Sequence, residues 1–177
     1  MGPIVRVTAF LVLGLLAGTG AARADGRWDS ARDHARNGRR DFAFLEYKAF
    51  LRDNEKSPLA REARFAIGEY YFELADLSQA RNAFSDVLSG GPSDKLAMLS
   101  EVYLLLCARR LDDTASSRSF EESLKELLSS KRFLRLFDGR PPEKWTSPLG
   151  NDFRFREDAD RMEIDLNGKD FYTIVLP

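Results

Sequence analysis

Displaced by 37 positions, the first half of the chain falls on itself. Trp28 lands on Phe65, Ala31 on Gly68, His34 on Tyr71, Ala43 on Ala80, Tyr47 on Phe84 and Leu51 on Leu88. Large side chains meet large ones and small meet small, with the single histidine standing where the second copy has tyrosine. A recurrence of this length denotes one supersecondary unit used repeatedly, each copy burying its apolar side against the next. The chain is therefore expected to stack units instead of wrapping a single core.

From 28 to 130, apolar residues return every three or four positions: Phe65, Ala66 and Tyr70, then Phe84, Val87 and Leu88, then Leu99, Val102, Tyr103 and Leu106. That is the period of a helix with one buried side. Turn formers interrupt it at Asn37-Gly38, Ser57-Pro58, Ser89-Gly90-Gly91-Pro92 and Asp112-Asp113-Thr114. The unit is thus a pair of short helices joined by tight turns. A third unit, Leu96 to Arg110 followed by Phe120, Leu124, Leu127 and Leu128, lacks the small residues of the first two. Departure is expected in a terminal unit, which has no further neighbour and needs a cover.

The second copy is the clearest. Ile67-Gly68, Tyr71, Ala80, Phe84 and Pro92 resemble the tetratricopeptide pattern at its proper spacing, with Arg64 at the usual tryptophan position and Phe65 beside it. Packing explains the residue types. Gly68 and Ala80 are expected to face each other where the two helices cross, letting the backbones approach. Tyr71 and Phe84 should fill the space toward the neighbouring pair, each contributing roughly 1.5–3 kcal/mol if fully buried. Pro92 cannot continue the helix before it.

The segment Ser57-Pro58-Leu59-Ala60-Arg61-Glu62-Ala63, followed by Gly68-Glu69-Tyr70-Tyr71-Phe72, is similar to the inter-repeat segment of tetratricopeptide proteins of the Gram-negative envelope. These include the lipoprotein of the outer-membrane β-barrel assembly machine and the periplasmic Tol–Pal coordinating protein. The likeness runs from 28 to near 110. The chain departs from both in having no lipidation cysteine, no N-terminal coiled coil and no further repeats after the third. The resemblance implies an adaptor or scaffold, bound to an envelope protein or peptide segment, in which the first helix of each pair lines a concave face. Mapped onto this sequence, that face takes Glu62, Phe65, Glu69, Phe72 and Glu73 from the second unit. The first unit adds Trp28, Arg32 and Arg36, and the third adds Leu99 and Tyr103. A plainer reading of the same residues is that Arg32–Glu69 and Arg36–Glu73 form cross-helix ion pairs, worth about 0–1 kcal/mol each at a surface.

The first residues point to export. Arg6 precedes an apolar run, Val7 to Leu16, and Ala22-Arg23-Ala24 offers small residues where signal peptidase reads. The run falls short of the roughly 20 residues that span a bilayer. Leu16-Ala17-Gly18-Thr19 resembles a lipoprotein box but has threonine where the lipidated cysteine would stand. Residues 1–24 are expected to be a cleaved leader, giving a periplasmic or secreted protein without stable membrane insertion. Removing 24 of 177 residues leaves 153, and basic residues fall from 27 to 25 against 28 acidic ones, a net charge of −3. That balance is unlike the basic footprint of a nucleic-acid binder. Cys107, the sole cysteine, lies in an apolar helical run and is expected to be a buried small hydrophobe.

After Ser129 the composition changes, and Asp138-Gly139-Arg140-Pro141-Pro142 marks a boundary between a helical array, 25–138, and a β block, 139–177. Beyond it Phe153 alternates with Phe155, Met162 with Ile164 and Leu166, and Phe171 with Thr173 and Val175. Asn167-Gly168 between two such runs is a hairpin signal. A small antiparallel sheet of three or four strands should therefore pack on the last helices. The expected fold is mostly α, a short tetratricopeptide-like solenoid of three helix pairs followed by this sheet.

No catalytic constellation emerges. One histidine, His34, cannot build a histidine metal cluster, and its repeat partner Tyr71 marks it as a packing residue. Gly90-Gly91-Pro92 lacks the lysine–serine pair of a phosphate loop. Asp158, Asp160, Glu163 and Asp165 lack the glycine and closing glutamate of a calcium loop. The expectation is a binding protein without catalytic residues, metal or cofactor. The alternative is a ligand- or glycan-binding module carried by the β block, with the helices as support.

Overall fold

A computed structural model of the chain describes residues 26–91, 94–129, 144–158, 161–166, 168 and 170–175. The expected leader and the boundary at Asp138-Gly139 lie outside the described residues. The fold is mostly helical and ends in a small antiparallel sheet. Helix α1 (26–36) is followed by α2 (Arg40–Asp53), α3 (Ala60–Glu73), α4 (Leu77–Ser89), α5 (Lys95–Arg110) and α6 (Thr114–Ser129). From α2 onward each helix lies against the next, and α3 also touches α5. Trp28 fixes α1 to α2 through Tyr47 and Phe50, both at 5.4 Å between ring centres.

The repeat is written into the backbone. Gly38 (φ +70°), Ala75 (φ +59°) and Asp112 (φ +55°) all take the left-handed conformation, at a constant interval of 37 residues. After each, the next amide reaches back five residues: Arg39 to the carbonyl of His34 (2.8 Å), Asp76 to Tyr71 (2.9 Å) and Asp113 to Ala108 (2.9 Å). This is the bond that closes a helix end over a left-handed residue. Side-chain packing recurs as well. Trp28 meets Tyr47 at 5.4 Å and 65°, and the residues 37 positions on, Phe65 and Phe84, meet at 5.5 Å and 70°.

The clearance at Gly68 serves a ring. The ring of Phe84, not the Ala80 methyl, is what a Cβ on Gly68 would meet first, at 2.8 Å. Gly68 therefore clears room for a ring that goes on to stack on Tyr103 of the next pair, 4.4 Å away and 8° from parallel. Tyr71 turns the other way, edge-on to Phe44 of α2 at 5.3 Å. Polar ties reinforce the stack. Asp94 caps α5 by accepting from the Ala97 amide (3.0 Å) and is gripped by Arg61 of α3 at 2.6 and 3.2 Å. Arg61 also donates to the Val87 carbonyl, joining the start of α3 to α4 and α5.

Strands β1 (Lys144–Thr146), β2 (Asp152–Asp158), β3 (Arg161–Leu166) and β4 (Asp170–Val175) form an antiparallel sheet in sequence order. Phe153 and Phe155 are buried and alternate with exposed Arg154 and Arg156. The register pairs Phe153 with Leu166 and Phe155 with Ile164, placing all four on one face. That face joins the core formed by α3 to α6, and β4 lies beside α6. Pairing of β3 with β4 closes at Leu166 and Asp170, the two strands forming the hairpin signalled by Asn167-Gly168. Gly168 sits there at φ +66°, and its amide donates to Asp165 at 2.7 Å.

Candidate functional site

The connection between β1 and β2, Ser147-Pro148-Leu149-Gly150-Asn151, is folded into a tight turn by local bonds. The Asn151 amide donates to the Ser147 hydroxyl (2.9 Å), the Ser147 amide to the Asn151 carbonyl (2.8 Å), and the Gly150 amide to the Ser147 carbonyl (3.0 Å). This turn enters the face shared by the first helices of the three pairs. Leu149 is fully buried among Trp28, Ala31, Ala35, Tyr47 and Phe50. The Tyr47 hydroxyl donates to the Pro148 carbonyl at 2.8 Å. Gly150 lies at φ +92°, so close to α1 that a Cβ would stand 3.3 Å from the Ala35 carbonyl oxygen.

Glu69 of α3 anchors the other end of the turn. Its Oε1 accepts from the Tyr103 hydroxyl (2.9 Å) and from Asn151 Nδ2 (3.0 Å), while Oε2 is buried without a well-formed hydrogen bond. Burial pushes the carboxyl up to about 7, against the opposing pull of Ser147, Asn151 and Tyr103 and of the Arg40 charge. The neighbouring Tyr103 hydroxyl is held well above its ordinary range by the same burial and by the Glu69 charge.

These contacts correct the expectation of an open face carrying all ten mapped residues. Trp28, Phe65, Glu69, Phe72, Leu99 and Tyr103 are buried. Phe65 and Tyr103 lie against Phe153 of β2, at 6.4 and 5.8 Å. Phe72 is covered by Tyr103 at 5.0 Å and by the Arg110 guanidinium at 4.2 Å. The chain's own sheet and turn occupy the middle of the face. The simple ion-pair reading is corrected as well: Glu69 bonds to Tyr103 and Asn151, and Glu73 pairs with Arg40. Arg32, Arg36 and Glu62 remain accessible.

Those three residues line a cleft of about 670 Å³ beside the seated turn. Helix α1 contributes Trp28, Arg32, Ala35 and Arg36; Leu59 and Glu62 come from the start of α3, Lys95 and Leu96 from the start of α5. The opposite wall is Lys144-Trp145-Thr146-Ser147-Pro148 with Gly150 and Asp152. Lys144 and Asp152 satisfy each other at 2.7 Å, and Lys95 lies 5.8 Å from the centre of the Trp145 ring. Arg32 and Arg36 form no ion pair with a described residue. The cleft therefore presents excess positive charge beside two tryptophans. Sequence reading identified Trp28, Arg32, Arg36 and Glu62 and missed Lys95, Lys144 and Trp145, which reach the site only through the seating of the sheet.

Cys107 and His34 lie outside this cleft. Cys107 is buried, and burial pushes its thiol up to about 11. His34 stacks on Phe42 at 5.4 Å, its Nδ1 buried and without a partner. Among the described residues no group of histidine, cysteine and acidic side chains is arranged to hold a metal, and no helix is long and apolar enough to cross a membrane. Comparison with protein-family models, curated proteins and solved structures finds no match.

Proposed function

We propose that the chain is an exported, non-catalytic adaptor of the tetratricopeptide type, holding a segment of an envelope protein in the cleft between α1 and β1. The cleft carries this reading: it lies at the end of the face to which the tetratricopeptide resemblance assigns binding, is large enough for a few residues of a partner, and presents arginines that form no ion pair with a described residue. The leader-like residues 1–24 support the compartment. A photo-activatable residue at Thr146, in the cleft, should trap one protein in intact envelopes. The same residue at Gln79, exposed on α4, should not, and Arg32→Glu with Arg36→Glu should abolish the capture. Equal capture from both positions, or capture that survives charge reversal, would reject the cleft. A small ligand or glycan reading draws on Trp28 and Trp145 in the same cleft, and predicts retention of envelope polysaccharide without protein capture.

A further inference from the structure

Resting on that adaptor reading, we infer that the partner segment is an extended acidic peptide that adds as a strand to the edge of β1 that no described strand covers and sets alternate carboxylates against Arg32 and Arg36.

The edge is identified by what lines the cleft. Lys144, Trp145, Thr146 and Ser147 are consecutive, and all four border it. Successive side chains of a strand point to opposite faces. Neighbours in sequence can border one space where a strand presents its edge, and here the cleft continues past the end of β1 to Asp152 of β2. Among the described residues β1 pairs with β2 alone and is an outer strand of the sheet. An outer strand offers a row of unpaired amides and carbonyls, the feature that strand-adding peptides use.

Charge selects the side chains of that peptide. The Lys144–Asp152 pair is internally neutral, leaving Arg32, Arg36 and Lys95 against Glu62. Arg32 and Arg36 stand one turn apart on α1, a rise of about 6 Å. Alternate residues of an extended peptide are about 6.6–6.8 Å apart on one side of the strand. Carboxylates at every second position therefore match the two guanidiniums when the peptide runs along α1. β1 is three residues long, so few backbone bonds are available and affinity must lean on the arginines and weaken with salt.

The test measures anisotropy of labelled peptides of about eight residues on the purified protein: alternating Glu and Thr, alternating Lys and Thr, and the acidic peptide with alternate backbone amides N-methylated. The acidic peptide should bind. The basic and N-methylated peptides should each bind about ten-fold more weakly or worse, as should the acidic peptide to the Arg32→Glu, Arg36→Glu variant, a loss of about 1.4 kcal/mol or more. Arg36→Gln, at an exposed position, guards against misfolding by the double reversal and should also weaken binding. Undiminished binding of the N-methylated peptide overturns strand addition; equal or better binding of the basic peptide, or no binding of the acidic one, overturns the acidic partner. Capture at Thr146 reads the adaptor proposal separately: retained capture with failed peptide arms discards the strand alone, and lost capture discards both.

Discussion

The side-chain amide of Asn151 donates to the carboxylate of Glu69 at 3.0 Å across 82 positions of sequence, inside the helical stack. The bond ties the turn between β1 and β2 to the middle helix pair, and it does so through a group whose charge costs free energy at that depth. How the sheet sits is thereby linked to protonation.

Glu69 holds its proton more tightly in the folded chain, to about 7, than at the ordinary carboxyl value of 4.5. Its contribution to stability is fully present below about 4.5 and is lost as pH rises through 7. Glu69→Gln keeps an oxygen for Tyr103 and Asn151 and removes the titration. Near pH 8 this variant should be more stable than the parent by about 2–3 kcal/mol, and near pH 4.5 about equal to it. Denaturant titration at the two pH values decides the matter, and a variant less stable near pH 8 would show that the charged form is the one the turn requires.

Leu149 is the largest apolar side chain of the turn, and it is fully buried against α1 and α2. Leu149→Ala should cost about 2–5 kcal/mol. Amide exchange should speed up across β1 and β2 before it does in α4, which lies away from the turn.

Ala75 occupies the left-handed position that glycine occupies in the first hairpin. An L-residue there costs roughly 1–2 kcal/mol, and glycine gives back about 0.4–1 kcal/mol through the unfolded chain. Ala75→Gly should therefore raise stability by about 0.5–1 kcal/mol, read as a higher denaturation midpoint.

A methyl on Gly68 would press the Phe84 ring from 2.8 Å. Overpacking costs about 1–3 kcal/mol and the gain in helix propensity returns about 1. Gly68→Ala should be less stable by about 1–2 kcal/mol, and a cycle with Phe84→Leu should show coupling near 1 kcal/mol.

The Cys107 thiol, raised to about 11 by burial, should resist disulfide reagents near pH 8 until the protein is unfolded, because the thiolate is the reacting species. Fast labelling in the folded state would contradict its place in the core.

Residue pattern revealed the helix pairs, their 37-residue interval and the alternation of the sheet, because all three depend on local spacing. Gly38 and Asp112 announced their turns through residue type. Leu74-Ala75-Asp76 did not, since alanine has no preference for a left-handed backbone, and only the interval from Gly38 could have located it. The filled face was hidden for a different reason. Ser147 to Asn151 reads as an ordinary surface turn, and its seat depends on Tyr47 and Glu69, which lie about 80–100 positions away. Two clues were present: Glu69 stands among the buried positions Phe65, Ala66 and Phe72, and Leu149 is an apolar side chain within a turn.

Stacks of helix pairs touching only their neighbours behave like springs, open to gain or loss of a unit and to changes of curvature. Here β1, β2 and their turn bridge the first, second and third pairs at once, through Ala35, Tyr47, Glu69 and Tyr103. The sheet acts as a gauge block that only a three-pair stack of this bend can accept. Inserting or deleting 37 residues would preserve every helix-to-helix joint yet leave the block without its seat, so this array is fixed in number as well as in shape.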